Sequence, residues 1–106
     1  MDRGVAELVE ALSGWPGLVT VDSCQEDTDP ASAYVMFVAD GPSPSIFKLV
    51  RRLARELGRS LPDACYSVRL EWAAGGKPVG YLVVAPASAT EVAEAIRRLP
   101  SVRRTW

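Results

Sequence analysis

Thr20-Val21-Asp22-Ser23-Cys24 places two hydroxyls, a carboxylate and a thiol within five consecutive positions, and Glu26, Asp27 and Asp29 follow directly. Alternate side chains of an extended segment share a face, so with Val19 and Val21 turned to a core, Thr20, Asp22 and Cys24 would meet a ligand together. The chain has no histidine, which removes Ser-His-Asp and Cys-His nucleophilic sites and every histidine-ligated metal site. Cys24 and Cys65 stand 41 positions apart and lack the paired short spacings of a structural zinc set. The acids after Cys24 have neither the EF-hand spacing nor its terminal glutamate. Thr20, Asp22, Ser23, Cys24, Glu26, Asp27 and Asp29 are therefore ligand-binding candidates, with no catalytic residue, metal or cofactor assigned. A small enzyme using Cys24 or Asp22 would need some other base and a concave site. The same residues also suit a polar strand face running into a solvated loop, with Cys24 as a small apolar filler.

A second group is basic. Lys48, Arg51, Arg52, Arg55 and Arg59 fall within an arc of about 100° when plotted at helical pitch, opposite an apolar face. Such a stripe attracts phosphate or an acidic partner, and it also suits an ordinary solvated face. Arg97, Arg98, Arg103 and Arg104 extend it if the last helix lies alongside. No aromatic residue interleaves with these arginines, so base stacking is not expected from the sequence. Trp15, Trp72 and Trp106 read as packing residues, with Trp106, behind Arg103 and Arg104, also able to anchor a neighbouring subunit. Gly75-Gly76-Lys77 lacks the surrounding spacing of a phosphate loop and reads as a turn between strands.

These groups need elements to hold them. Val5, Leu8, Val9 and Leu12 predict an amphipathic helix that stops before Gly14-Trp15-Pro16-Gly17. Leu18 to Cys24 predicts a strand, and the unbroken apolar run 33–39 reads as a strand buried on both faces. The acidic stretch from Gln25 to Ser32, with Pro30, joins them as a projecting loop. Ser43-Pro44 opens a second helix with Ile46, Leu49, Val50, Leu53, Ala54 and Leu57 on one face and Gly58 as its stop. Cys65 to Trp72 alternates, turns through 73–77, and returns as Val79 to Ala85. Ser88 and Glu91 have capping-box spacing for a third helix that Pro100 ends. The expected fold is one α+β domain over residues 1–106. It comprises a twice-repeated helix-strand-strand unit plus a C-terminal helix, with a mostly antiparallel four-stranded sheet covered by helices on one face. The strand order is not legible.

A short helix leading into a strand that ends in Thr20, Ser23 and Cys24 resembles the start of the wybutosine-synthesis tRNA methyltransferase family, whose motif is Thr-x-Ser-Ser-Cys-Ser-Gly-Arg. The resemblance covers residues 5–24. Asp22 replaces the first serine, and Gln25-Glu26-Asp27 stands where the family has Ser-Gly-Arg. The resemblance implies a tRNA substrate and S-adenosylmethionine, and carries Ser23 and Cys24 over as site residues.

Composition bounds the rest. At 106 residues and 48% apolar content the chain holds one hydrophobic core. No apolar run reaches membrane-spanning length and no leader pattern opens the chain, so a cytoplasmic protein away from membranes is expected. Residues 1–40 carry eight acids and one base, whereas residues 41–106 carry five acids and eleven bases. The expectation is a non-enzymatic binding or interaction module. Its partner is a protein or a second copy of the chain, and RNA is the alternative.

Overall fold

Val5, Leu8 and Leu12 form the buried face of α1 (Arg3–Ser13) in the computed structural model, which describes residues 3–26, 32–40, 44–61, 66–72 and 75–103. Asp27, Asp29, Pro30, Ser43, Cys65, Arg104 and Trp106 lie outside the described residues, and for Glu26 and Arg103 only the backbone is described. Trp15 donates its amide to Leu12 O at 3.0 Å and buries its indole. Gly17, at φ 80, then turns the chain into β1 (Leu18–Glu26). There follow β2 (Ser32–Ala39), α2 (Pro44–Ser60), β3 (Tyr66–Trp72), β4 (Pro78–Val84), a 3-10 turn (Pro86–Ser88), α3 (Ala89–Arg97) and α4 (Pro100–Arg103). None of the described helices is long and apolar enough to cross a membrane.

The strands form an antiparallel sheet in the order β1-β2-β4-β3, the α+β architecture the apolar pattern predicts. β2 and β4 are its centre, and β1 and β3 its edges. Val35 and Phe37 of β2 and Leu82 and Val84 of β4 turn inward and share one core with Leu8, Leu12, Leu53, Leu57, Val92 and Ile96 from the helices. All three long helices thus cover the same face of the sheet. Gly75 and Gly76 take φ 92 and 80 in the hairpin turn, a region open to glycine at no steric cost.

Four expectations need correction. β2 is not buried on both faces, because its burial alternates strictly from Ala33 to Phe37 and the described helices pack on the other side of the sheet. Gly58 does not stop α2. Its φ is not positive, and the helix runs on to Ser60, where Leu61 N donates to Leu57 O at 2.8 Å. Ser88 makes no side-chain cap, since as the last residue of the 3-10 turn it sits at φ −100, ψ −1, away from the extended geometry a capping serine needs. α3 ends at Arg97, and Pro100 opens α4 instead of terminating a helix.

Gly80 pairs with Phe37 across β2 and β4, and a Cβ at Gly80 would overlap the Phe37 ring. The missing side chain is the space the ring occupies. Gly80→Ala forces the ring off its rotamer and should cost about 1–3 kcal/mol, read as a lower urea midpoint. The cost should shrink when Phe37→Leu is present in the same chain.

Tyr66 packs on the core at the far end of α2, with its hydroxyl 3.5 Å from where a Cβ on Gly58 would be. Burial raises its phenol above the ordinary 10.0. The unfolded chain therefore ionises first. Stability held by the neutral phenol is complete below pH 10.0 and declines as pH rises from there through the folded value. In urea titrations across alkaline pH, Tyr66→Phe should flatten that decline.

Candidate nucleic-acid interface

The helical period that buries Ile46, Leu49, Leu53 and Leu57 leaves Lys48, Arg51, Arg52, Arg55 and Arg59 exposed on the opposite side of α2. Lys48, Arg51, Arg52 and Arg55 line a groove of about 320 Å³. Lys48 and Arg52 also border a cleft of about 260 Å³ whose other walls are Trp15, Gly17 and Asp40. That cleft has a fixed floor, because Asp40 N donates to Gly17 O at 2.7 Å and ties the end of β2 to the turn before β1.

None of these five cations has a carboxylate within ion-pair distance among the described residues. Lys48–Arg52, Arg51–Arg55 and Arg55–Arg59 are like charges one turn apart, each costing about 0.2–0.5 kcal/mol on a helix surface. The stripe repels itself, and neither Asp40 across the cleft nor Glu56 at the edge of the stripe closes to ion-pair distance with it.

Beside the stripe stands an aromatic pair. Phe47 is one turn before Arg51, and its ring centroid is 6.2 Å from that of Trp72, with the planes at 58°. Both side chains are exposed, Phe47 by 41% and Trp72 by 64%. Trp72 is therefore not the packing residue its strand parity predicts. It faces the helix side of the sheet in the last pair of an edge strand, opposite Pro78, where it meets the exposed Phe47 of α2 instead of the core. Trp15 is buried as expected. The stripe thus has aromatic neighbours that linear sequence conceals, because one of them arrives from β3. A signal for Phe47 was present: its wheel position falls between the apolar and basic arcs, where burial is incomplete.

The Thr20–Cys24 constellation is divided by the fold. Thr20 pairs with Phe37 and Ser23 with Val35, placing both on the helix side, whereas Asp22 pairs with Met36 and Cys24 with Tyr34 on the open side. A β-bulge between Thr20 and Asp22 shifts the register, leaving Val21 as the extra residue. Val19 and Val21 are 45% and 48% exposed and do not face the core. This overturns the expectation that Thr20, Asp22 and Cys24 share a face. Asp22 Oδ1 accepts the Ser23 amide at 2.9 Å, an interaction internal to the bulge. The Cys24 thiol is free, half-buried, and donates to Gln25 O at 3.6 Å. Glu26 ends β1, and the candidates Asp27 and Asp29 are outside the described residues. Among the described residues no three acids or cysteines converge on a metal position. α3 packs principally on α1 and only marginally on α2, so Arg97 and Arg98 extend the stripe little.

Comparison with protein-family models, with curated proteins and with solved structures gives no match.

The repulsion along the stripe has a measurable sign. Arg55 has like charges one turn away on both sides, so Arg55→Gln should raise stability by about 0.5 kcal/mol, seen as a higher urea midpoint with an unchanged slope.

Proposed function

We propose that this chain is a non-enzymatic binding module whose partner is RNA, held in a single-stranded stretch along α2. The observation that carries the reading is the row of exposed cations, without a carboxylate at ion-pair distance among the described residues, beside an exposed aromatic pair. Cations at Lys48, Arg51, Arg52 and Arg55 suit successive phosphates, and arginine grips them in a planar fork. Trp72 and Phe47 offer flat surfaces on which an unstacked base can lie. A row of like charges that costs folding stability is retained to advantage where an anion neutralises it. The resemblance of residues 5–24 to the wybutosine-synthesis tRNA methyltransferase family points to the same class of partner, and makes tRNA a sensible probe alongside unstructured RNA.

The test is binding of nuclease-treated protein to a mixed tRNA pool and to an unstructured RNA oligonucleotide across a salt series. Four phosphate contacts predict a log–log slope of about −3 on the single strand, at roughly −0.7 per contact. Replacing Arg51, Arg52 and Arg55 together by glutamine should remove about three-quarters of that slope. Trp72→Ala should weaken binding about tenfold while leaving the slope alone, since stacking releases no counterions. No binding at low salt, or a slope indifferent to the three arginines, would overturn the reading.

A further inference from the structure

On the side of the sheet away from the helices, the pairing register aligns residues into rows across all four strands. One row is Asp22, Met36, Tyr81 and Arg69, since Asp22 pairs with Met36, Met36 with Tyr81, and Tyr81 with Arg69. The next is Cys24, Tyr34, Val83 and Ser67. The centre of this face is apolar and aromatic, with Tyr34 and Tyr81 in contact at a centroid distance of 5.8 Å. Its margins carry the charges, with exposed Asp22 beside exposed Val19 on one edge strand and exposed Arg69 and Glu71 on the other. An apolar centre inside a charged rim is the anatomy of an interface. It also accounts for the two-sided apolar run of β2, which the described helices cover on one side only.

We infer that a second copy of this chain covers that face, the two sheets stacking about a two-fold axis parallel to the strands. Rotation about such an axis sets β1 of one copy over β3 of the other and keeps each row level with itself. Asp22 then meets the Arg69 of the second copy, and Arg69 its Asp22, while Met36 lies over Tyr81. A two-fold perpendicular to the strands and passing through this row would instead put Asp22 on Asp22 and Arg69 on Arg69. Between these two stackings about the row, the Asp22 and Arg69 charges favour the first. Stacked sheets cross at about 30°. With strands about 4.8 Å apart, the edge residues lie about 7 Å from the axis, so the crossing offsets the paired charges by about 4 Å, within the reach of an arginine. Asp22 has an oxygen to offer, because among the described residues only Oδ1 is engaged, by the Ser23 amide. The interface is independent of the RNA reading: α2 packs on the opposite side of the sheet, and both basic stripes remain outside in the dimer.

The geometry generates a charge-exchange experiment. The unaltered chain should sediment as a dimer that dissociates on dilution. Asp22→Arg puts arginine over arginine twice in each dimer, and Arg69→Asp puts aspartate over aspartate twice, so each variant alone should dimerise at least about tenfold more weakly. Mixed in equal amounts, the two variants should form a one-to-one heterodimer, because both contacts then pair opposite charges. The double variant should dimerise with itself as the unaltered chain does. Both positions are exposed, and a cooperative urea transition in each variant, measured at dilutions where the unaltered chain is monomeric, confirms that the variants fold. The inference is overturned by an unaltered chain that is monomeric up to millimolar concentration, which would hand the face to another occupant. It is equally overturned by single variants that dimerise like the parent, or by a mixture that stays monomeric.

Discussion

The contact between the Phe37 ring and the bare α-carbon of Gly80 organises this molecule. It joins β2 to β4, strands that are not consecutive and that meet only after α2 has carried the chain across. A slip of one residue in that pairing would move every inward side chain of one strand to the opposite face. With the ring seated on the glycine, Val35 and Phe37 face inward together with Leu82 and Val84, and the three long helices have one surface to cover. The sidedness of the sheet follows. So does the separation of the basic helix face from the open sheet face, which leaves each exposed for its own use.

Residue periodicity reveals much of this before any coordinates. Val5, Leu8 and Leu12 define α1, Ile46 to Leu57 define the buried side of α2, and the alternation from Tyr66 to Trp72 with two glycines defines the hairpin, because each pattern is local. The strand order is not local, since it depends on which strand Gly80 meets. The bulge at Val21 is also silent, for nothing in Thr-Val-Asp distinguishes one extra residue from regular alternation. The division of Thr20 from Asp22 and Cys24 follows from that silence. At the candidate interface the five cations are legible from the wheel of α2 alone. Trp72 is not, because its exposure depends on which part of α2 the end of an edge strand meets.

Electrostatics shapes the two surfaces in opposite ways. On α2, like charges accumulate without carboxylate partners among the described residues, a pattern that favours an external anion. On the open sheet face, Asp22 on β1 and Arg69 on β3 stand at opposite margins, too far apart to satisfy one another across two intervening strands, with Glu71 on the same margin as Arg69. The sequence asymmetry between an acidic first part and a basic remainder becomes spatial in this way. β1 lies in the acidic part of the chain, and β3 and α2 lie in the basic part.

The bulge in β1 has a consequence for how the protein behaves at high concentration. β1 is an edge strand, and an edge strand offers a row of unpaired amides and carbonyls to any extended chain that drifts past. An incoming strand needs a regular ladder to bind, and the extra residue at Val21 breaks the spacing of that ladder partway along and sharpens its local twist. Lateral growth of the sheet by an added strand is therefore disfavoured on this side, even though Val19 and Val21 are apolar and exposed.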